Sequence, residues 1–184
     1  MALSIERFPE GAEPAASRFN DRLRAAGVAE FELPGSRFSK RYPEGDESAV
    51  WQQYFLALDR QPDGGTEARG GYILQYQPYA VSGDVAPHAF LKLPLSEGIV
   101  DKKYALVGVQ VVRDAMQREP NLYSVGMGGM KRPLPNLLAK LGWFVREVPF
   151  HFRVLRPSRF FNQARILRTS RLRARACDVL SWSG

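Results

Sequence analysis

The chain has 184 residues, 45% of them hydrophobic and 11% aromatic, which is enough for one domain with its own core and too apolar for a disordered chain. Its net charge of +7 sits at one end: residues 151–184 hold eight arginines, one aspartate and no lysine, while residues 1–150 balance 18 basic against 18 acidic side chains. A single cysteine, Cys177, and two histidines exclude an internal disulfide and argue against structural zinc, and no apolar run reaches the roughly 20 residues of a membrane span.

The opening MALSIERFPEG carries two glutamates and no apolar h-region, so no secretory signal is expected. With a lone cysteine, the expected location is the cytoplasm. Leu3–Phe8 alternates weakly and reads as a first strand. Pro14–Ala26 places Phe19, Leu23 and Ala26 at helical spacing, with Gly27 as the cap. Phe31–Ser48 is rich in Pro, Gly and charge and reads as a loop. Val50–Leu58 is an aromatic-rich strand, Gln61–Gly65 a turn, and Gly70–Tyr79 its alternating hairpin partner. Val81–Pro87 reads as another turn. Ala89–Leu95 follows as a strand in which Pro94 implies a bulge or an edge.

Ser96–Asp101 is a connector. Tyr104–Arg118 then puts Leu106, Val107, Val111 and Ala115 on one helical face, and Pro120 ends it. Leu122–Met127 reads as a short strand and Pro133–Leu141 as a helix with proline in its first turn. Trp143–Leu155 alternates and reads as a long strand interrupted by Pro149. Arg156–Gly184 reads as a loop and then a helix, with Leu172, Ala176, Val179 and Leu180 on one face and arginines around the rest. This order predicts an α/β (α+β mixed) layered domain with a mixed sheet over residues 1–155, followed by an arginine-rich tail over 156–184.

The densest chemical signal is Asn121–Trp143. Gly126, Gly128 and Gly129 stand between a strand and a helix start. Glycines there let another molecule approach bare backbone, and the helix start offers free N–H groups to an anion; three glycines also make a tight turn. His88 and His151 have no neighbour at a catalytic spacing. No nucleophile elbow, Walker loop or dinucleotide fingerprint is present. For the tail three partners remain open: an anionic membrane surface, nucleic acid phosphates, or another part of the protein or a homo-oligomer.

The element order, with these glycines, resembles the GNAT superfamily of acyl-CoA-dependent N-acyltransferases. Two short motifs carry the resemblance beyond topology. Lys103–Gly108 (KYALVG) is similar to the family's phosphate loop, with Lys103 at the basic position, Gly108 at the last small position and Leu106 in place of the central glycine. Leu138–Trp143 (LAKLGW) is similar to the end of the family's fourth helix, with Leu138 where many members carry a general-acid tyrosine. The resemblance implies acetyl-CoA or another acyl-CoA as co-substrate and an amine, often a small molecule, as acceptor. It implies that a strand, a phosphate loop and a helix hold the pyrophosphate, and that the next strand splays away to admit the thioester. On this reading Lys102, Lys103 and Gly108 face the phosphates, and the helix start beside the lysines favours an anion. Gly126, Gly128 and Gly129 hold the acyl carbonyl or pantetheine. Glu97, just after the fourth strand, is the candidate base, or else a solvated loop carboxylate. Tyr123 is the candidate acid replacing the missing tyrosine, or else a packed strand residue. Leu106 and Leu138 keep open a degenerate, non-catalytic relative.

Overall fold

A computed structural model describes residues 2–28, 31–36, 50–61, 64–127 and 129–149, with 151, 153 and 160. The chain forms two compact units, Met1–Val145 and Arg146–Gly184. The first contains the whole sheet and every element named below. The predicted tail helix, most of the predicted 31–48 loop and Gly128 lie outside the described residues.

The elements are β1 (Ala2–Arg7), α1 (Glu13–Ala25), β2 (Trp51–Arg60), β3 (Thr66–Val81), β4 (Asp84–Ser96), two 3-10 turns (Glu97–Ile99 and Lys102–Tyr104), α2 (Ala105–Arg118), β5 (Leu122–Tyr123) and α3 (Pro133–Lys140). The five strands form one mixed sheet in the order β1-β2-β3-β4-β5. The first four are antiparallel neighbours, and β5 joins β4 in parallel. This is the mixed α/β architecture that the element order predicts.

Strand alternation divides the core into two layers. Phe8, Phe19, Leu23, Tyr54, Leu56, Leu58, Ile73 and Leu95 form the layer under α1. Phe55, Tyr72, Leu74, Tyr76, Leu91, Val107, Val111 and Ala115 form the layer under α2, on the other face. Helices α1 and α3 close on the same device. Gly27 has φ +77 and Gly142 φ +89. At α1 the Val28 N–H donates to Leu23 O and Gly27 N–H to Arg24 O; at α3 Trp143 N–H donates to Leu138 O and Gly142 N–H to Ala139 O. These paired bonds are Schellman caps, which require the left-handed residue that glycine supplies.

Four sequence expectations need correction. The Val81–Pro87 turn shrinks to Ser82 and Gly83, both at positive φ, because a two-residue loop with that geometry matches the strand twist. Leu106 is 72% exposed and Val112 takes its place in the buried stripe of α2. The Leu122–Met127 strand pairs only at its first two residues. The Trp143–Leu155 strand does not form among the described residues: Phe144 and Val148 are 87% and 76% exposed, Trp143 is committed to the cap of α3, and Pro149 has no N–H to pair.

Candidate functional site

The sheet opens where β4 and β5 meet. Their ladder is two pairs long, Ala89↔Leu122 and Phe90↔Tyr123, with Ala89 N–H donating to Asn121 O at 3.1 Å. One residue later the backbones no longer pair. The hydroxyl of Ser124 instead donates to Leu91 O at 3.0 Å. Beyond that point β5 leaves the sheet and β4 continues without it. The result is a gap in the ladder, flanked by Leu91–Pro94 on one side and Ser124–Gly126 on the other.

The β4 side of this gap is bent. Between Gly71↔Leu95 and Ile73↔Lys92 the register shifts, so Leu93 and Pro94 together face the single residue Tyr72. Leu93 lies at φ +47, a left-handed conformation that costs a non-glycine residue about 1–2 kcal/mol. Pro94, flagged in the sequence as a bulge or edge, sits in this bulge. Opposite it, Gly70 and Gly71 let the strands pass closely: a Cβ on Gly70 would stand 2.5 Å from Leu95 O, and one on Gly71 2.6 Å from Phe55 O.

Tyr123 occupies the last ladder pair before the gap. Its ring stacks on Phe90 at 5.3 Å and its hydroxyl lies 2.6 Å from the Tyr79 hydroxyl. Burial, then the bond to Tyr79, raises its phenol above the ordinary tyrosine value, so it holds its proton more firmly than a free phenol. On the same face Gln52 Nε2 and Lys92 Nζ both donate to Gln75 Oε1, at 2.6 and 3.1 Å. The Gln77 side chain donates to the Tyr79 hydroxyl.

Beyond the end of β4 stands a cationic helix start. Lys102 and Lys103 are exposed in the turn that runs into α2. Asp101 caps that turn by accepting from Lys103 N–H at 2.9 Å, and Leu106 projects from the first turn of α2. Gly108 lies deeper in the helix, where an added Cβ would come within 3.1 Å of Ser96 Oγ. Its smallness seats α2 against the end of β4. Gly126 and Gly129 take φ +73 and +95 with open space around their Cβ positions, so these glycines are required by the turn and leave their backbone accessible.

Glu97, the sequence candidate for a base, is 4% exposed. Arg22 donates to both its oxygens, at 2.7 and 3.2 Å, and Arg69 to Oε2 at 2.9 Å. Arg22 also reaches Glu67 and the Ala68 carbonyl; Arg69 reaches Asp59 at 3.4 Å and lies over the Tyr104 ring. The carboxylate is thus the hub of an ion network joining α1, β2, β3 and the turn after β4. A general base needs a lone pair directed at its substrate, and both Glu97 oxygens are directed at guanidiniums. Leu138 is fully buried, a core contact of α3.

Sequence reasoning missed Ser124, Leu93, Lys92 and Tyr79. Lys92 left a readable signal, a charge inside the otherwise apolar AFLKLPL run. The other three depend on register, which the chain order does not display.

No family model and no curated protein matches the sequence. Among solved structures, one described as an acetyl transferase from Pyrococcus furiosus is 11% identical, with 83% of this chain and 100% of that chain covered and a TM-score of 0.46. An aminoglycoside acetyltransferase from an uncultured soil metagenomic sample is 15% identical, with 84% and 98% covered and a TM-score of 0.44. Likeness at this level transfers neither substrate nor residue roles. No described helix is long and apolar enough to cross a membrane, and no described group of His, Cys, Asp and Glu could hold a metal ion.

Proposed function

We propose that the protein is an acyl-CoA-dependent N-acyltransferase, with acetyl-CoA as the first donor to test and a small amine as acceptor. The observation that carries the reading is the two-pair parallel ladder of β4 and β5 and its abrupt divergence. A split between parallel strands exposes unpaired backbone donors inside a fold, an expensive arrangement unless something uses them. A thioester is the ligand that the family resemblance supplies for such a gap.

In this reading Lys102, Lys103 and the start of α2 attract the donor's phosphates. The bulge at Leu93 and the open backbone near Gly126 and Gly129 face the acyl group, and backbone N–H groups there stabilise the oxygen as it gains charge. The acceptor nitrogen bonds to the carbonyl carbon, the carbon–sulfur bond breaks, and the proton lost by the nitrogen balances the one gained by the thiolate. In this reading Tyr123 donates that proton and Tyr79, whose hydroxyl it meets, restores it from solvent. Glu97 enters as an anchor that holds the turn before α2 against α1.

Calorimetric titration with acetyl-CoA and free CoA tests the reading. The expected outcome is binding of both, weakened about tenfold or more when Lys102 and Lys103 are both replaced by glutamate, a change of exposed side chains that leaves the core alone. Binding of neither ligand by the wild-type protein overturns it. Binding of both without transfer to any amine points instead to the non-catalytic relative that the buried Leu138 keeps in view.

A further inference from the structure

Resting on that reading, we infer that the acceptor is an amine that also carries a carboxylate, and that Lys92 is the residue that recognises it. The face of the sheet continuing from the α1 layer toward the β3–β4 hairpin is not apolar. It presents Gln52, Gln75, Gln77, Tyr79, Phe90, Lys92 and Tyr123, the neighbours whose mutual contacts are given above. Lys92 is half-buried and makes no ion pair with any described carboxylate. Of the described acidic groups nearby, Glu6 pairs with Arg60, Glu32 with Arg24, and Glu97 with Arg22 and Arg69, while Asp84 of the same strand is exposed at the far hairpin end.

The ammonium is also oriented. Its one described bond goes to Gln75 Oε1, which Gln52 fixes from the next strand. An ammonium has three donors, and the described residues use one of them. Lys92 immediately precedes the strained Leu93 in β4, the strand that edges the gap, and its ammonium leans across β4 toward Gln75 of β3. A cationic acceptor, such as a polyamine, would meet like charge here. An acceptor with a carboxylate near its amine would meet a positioned counter-charge, amide donors and phenols. Carboxylate–ammonium hydrogen bonds in a partly buried site are strong enough to set specificity.

The test compares acids with their carboxamides in two independent readouts, on wild-type protein and on Lys92→Met and Lys92→Arg, after confirming unchanged melting. In the first, acetyl transfer from acetyl-CoA is measured to glycine, β-alanine, 4-aminobutanoate and phenylalanine and to the four matching amides. The acid-to-amide ratio of kcat/KM is expected to fall roughly tenfold or more in Lys92→Met for at least one pair, and to be largely retained in Lys92→Arg. Acid and amide differ in amine basicity, which cancels when the ratio is compared between variants. In the second, without acyl-CoA, the four N-acetylated acids and their amides are titrated into the protein; Lys92-dependent binding of an acid over its amide is expected. Equal treatment of acids and amides, or a preference that survives Lys92→Met, overturns the inference while transfer itself stands. Lys92-dependent binding of an N-acetyl acid by a protein that binds no CoA leaves the carboxylate site standing and ends the acyltransferase reading. A protein that neither binds nor acylates any member of the panel overturns the inference.

Discussion

Two adjoining regions of this sheet treat polar groups in opposite ways. At the end where β3 begins and β4 finishes, Arg22, Arg69, Glu97, Glu67 and Asp59 satisfy one another within hydrogen-bond reach, and Gly70 and Gly71 bring backbones together until no Cβ fits. In the other, a few residues back along β4 where it parts from β5, polar groups keep spare capacity: among the described residues Lys92 has an amide partner but no carboxylate, Tyr123 shares its hydroxyl only with Tyr79, and β4 runs on without a strand on its β5 side. The first arrangement holds a shape. The second leaves a surface on which a ligand can complete the bonding. Perturbed or ionisable groups alone do not mark a site; the number of partners each one already has separates Glu97 from Tyr123.

The contrast can be broken most severely at Glu97. Glu97→Ala leaves Arg22 and Arg69 facing each other's charge with little solvent, so a loss of about 3–5 kcal/mol is expected in denaturant unfolding. A loss near zero would mean that the network is dispensable and would reopen Glu97 to a chemical role. At the same end, Gly70→Ala must displace the Leu95 carbonyl, a steric conflict expected to cost on the order of 2–3 kcal/mol.

In the open region, effects should appear in rate before stability. Tyr123→Phe keeps the ring on Phe90 and removes the hydroxyl, so kcat is expected to fall about 100-fold with melting nearly unchanged. A melting change without a rate change would return Tyr123 to a packing role. Gly126→Ala meets no atom, only an unfavourable φ, and is expected to cost about 1 kcal/mol, well below the cost of Gly70→Ala, by the same unfolding measurement.

Alkaline unfolding sharpens the comparison across the whole sheet. Tyr54, Tyr72, Tyr76 and Tyr123 all have phenols raised above 10.0, in each case first by burial. In the unfolded chain they ionise near 10; in the folded chain they stay protonated. The stability they contribute is therefore complete below pH 10 and is lost as pH rises from there toward the folded values. Absorbance of phenolate followed with circular dichroism should show most of these tyrosines ionising only as the fold is lost.

Much of the frame was legible in the chain. Phe19 and Leu23 at helical spacing, Gly27 after them, and the aromatic QQYFLAL run each determined an element by local chemistry: one buried stripe, one left-handed cap, one strand buried on both faces. Pro94 announced the bulge, and LGW announced the end of α3. The failures share a cause. Trp143–Leu155 alternates as a strand should, yet a strand also needs a neighbour with free backbone, and β5 provides only two residues of ladder. Leu106 fits the apolar stripe by spacing, but as α2 packs on the sheet, with Gly108 against Ser96, Val112 lies inside and Leu106 outside.

The candidate site was legible only in outline. The sequence by itself determined that glycines and a basic helix start lie near the junction of a strand and a helix, because those are properties of neighbours in the chain. Tertiary structure decided everything that depends on pairing between distant segments. Arg22 and Arg69, 75 and 28 residues from Glu97, turned a free-looking carboxylate into a hub. The register of β4 against β3 and β5 set Lys92 and Leu93 on the strand that edges the gap and joined Tyr79 to Tyr123 at its last ladder pair. A hydrogen bond has a reach of about 3 Å, and residues this far apart in sequence come within that reach only after the sheet has chosen its register.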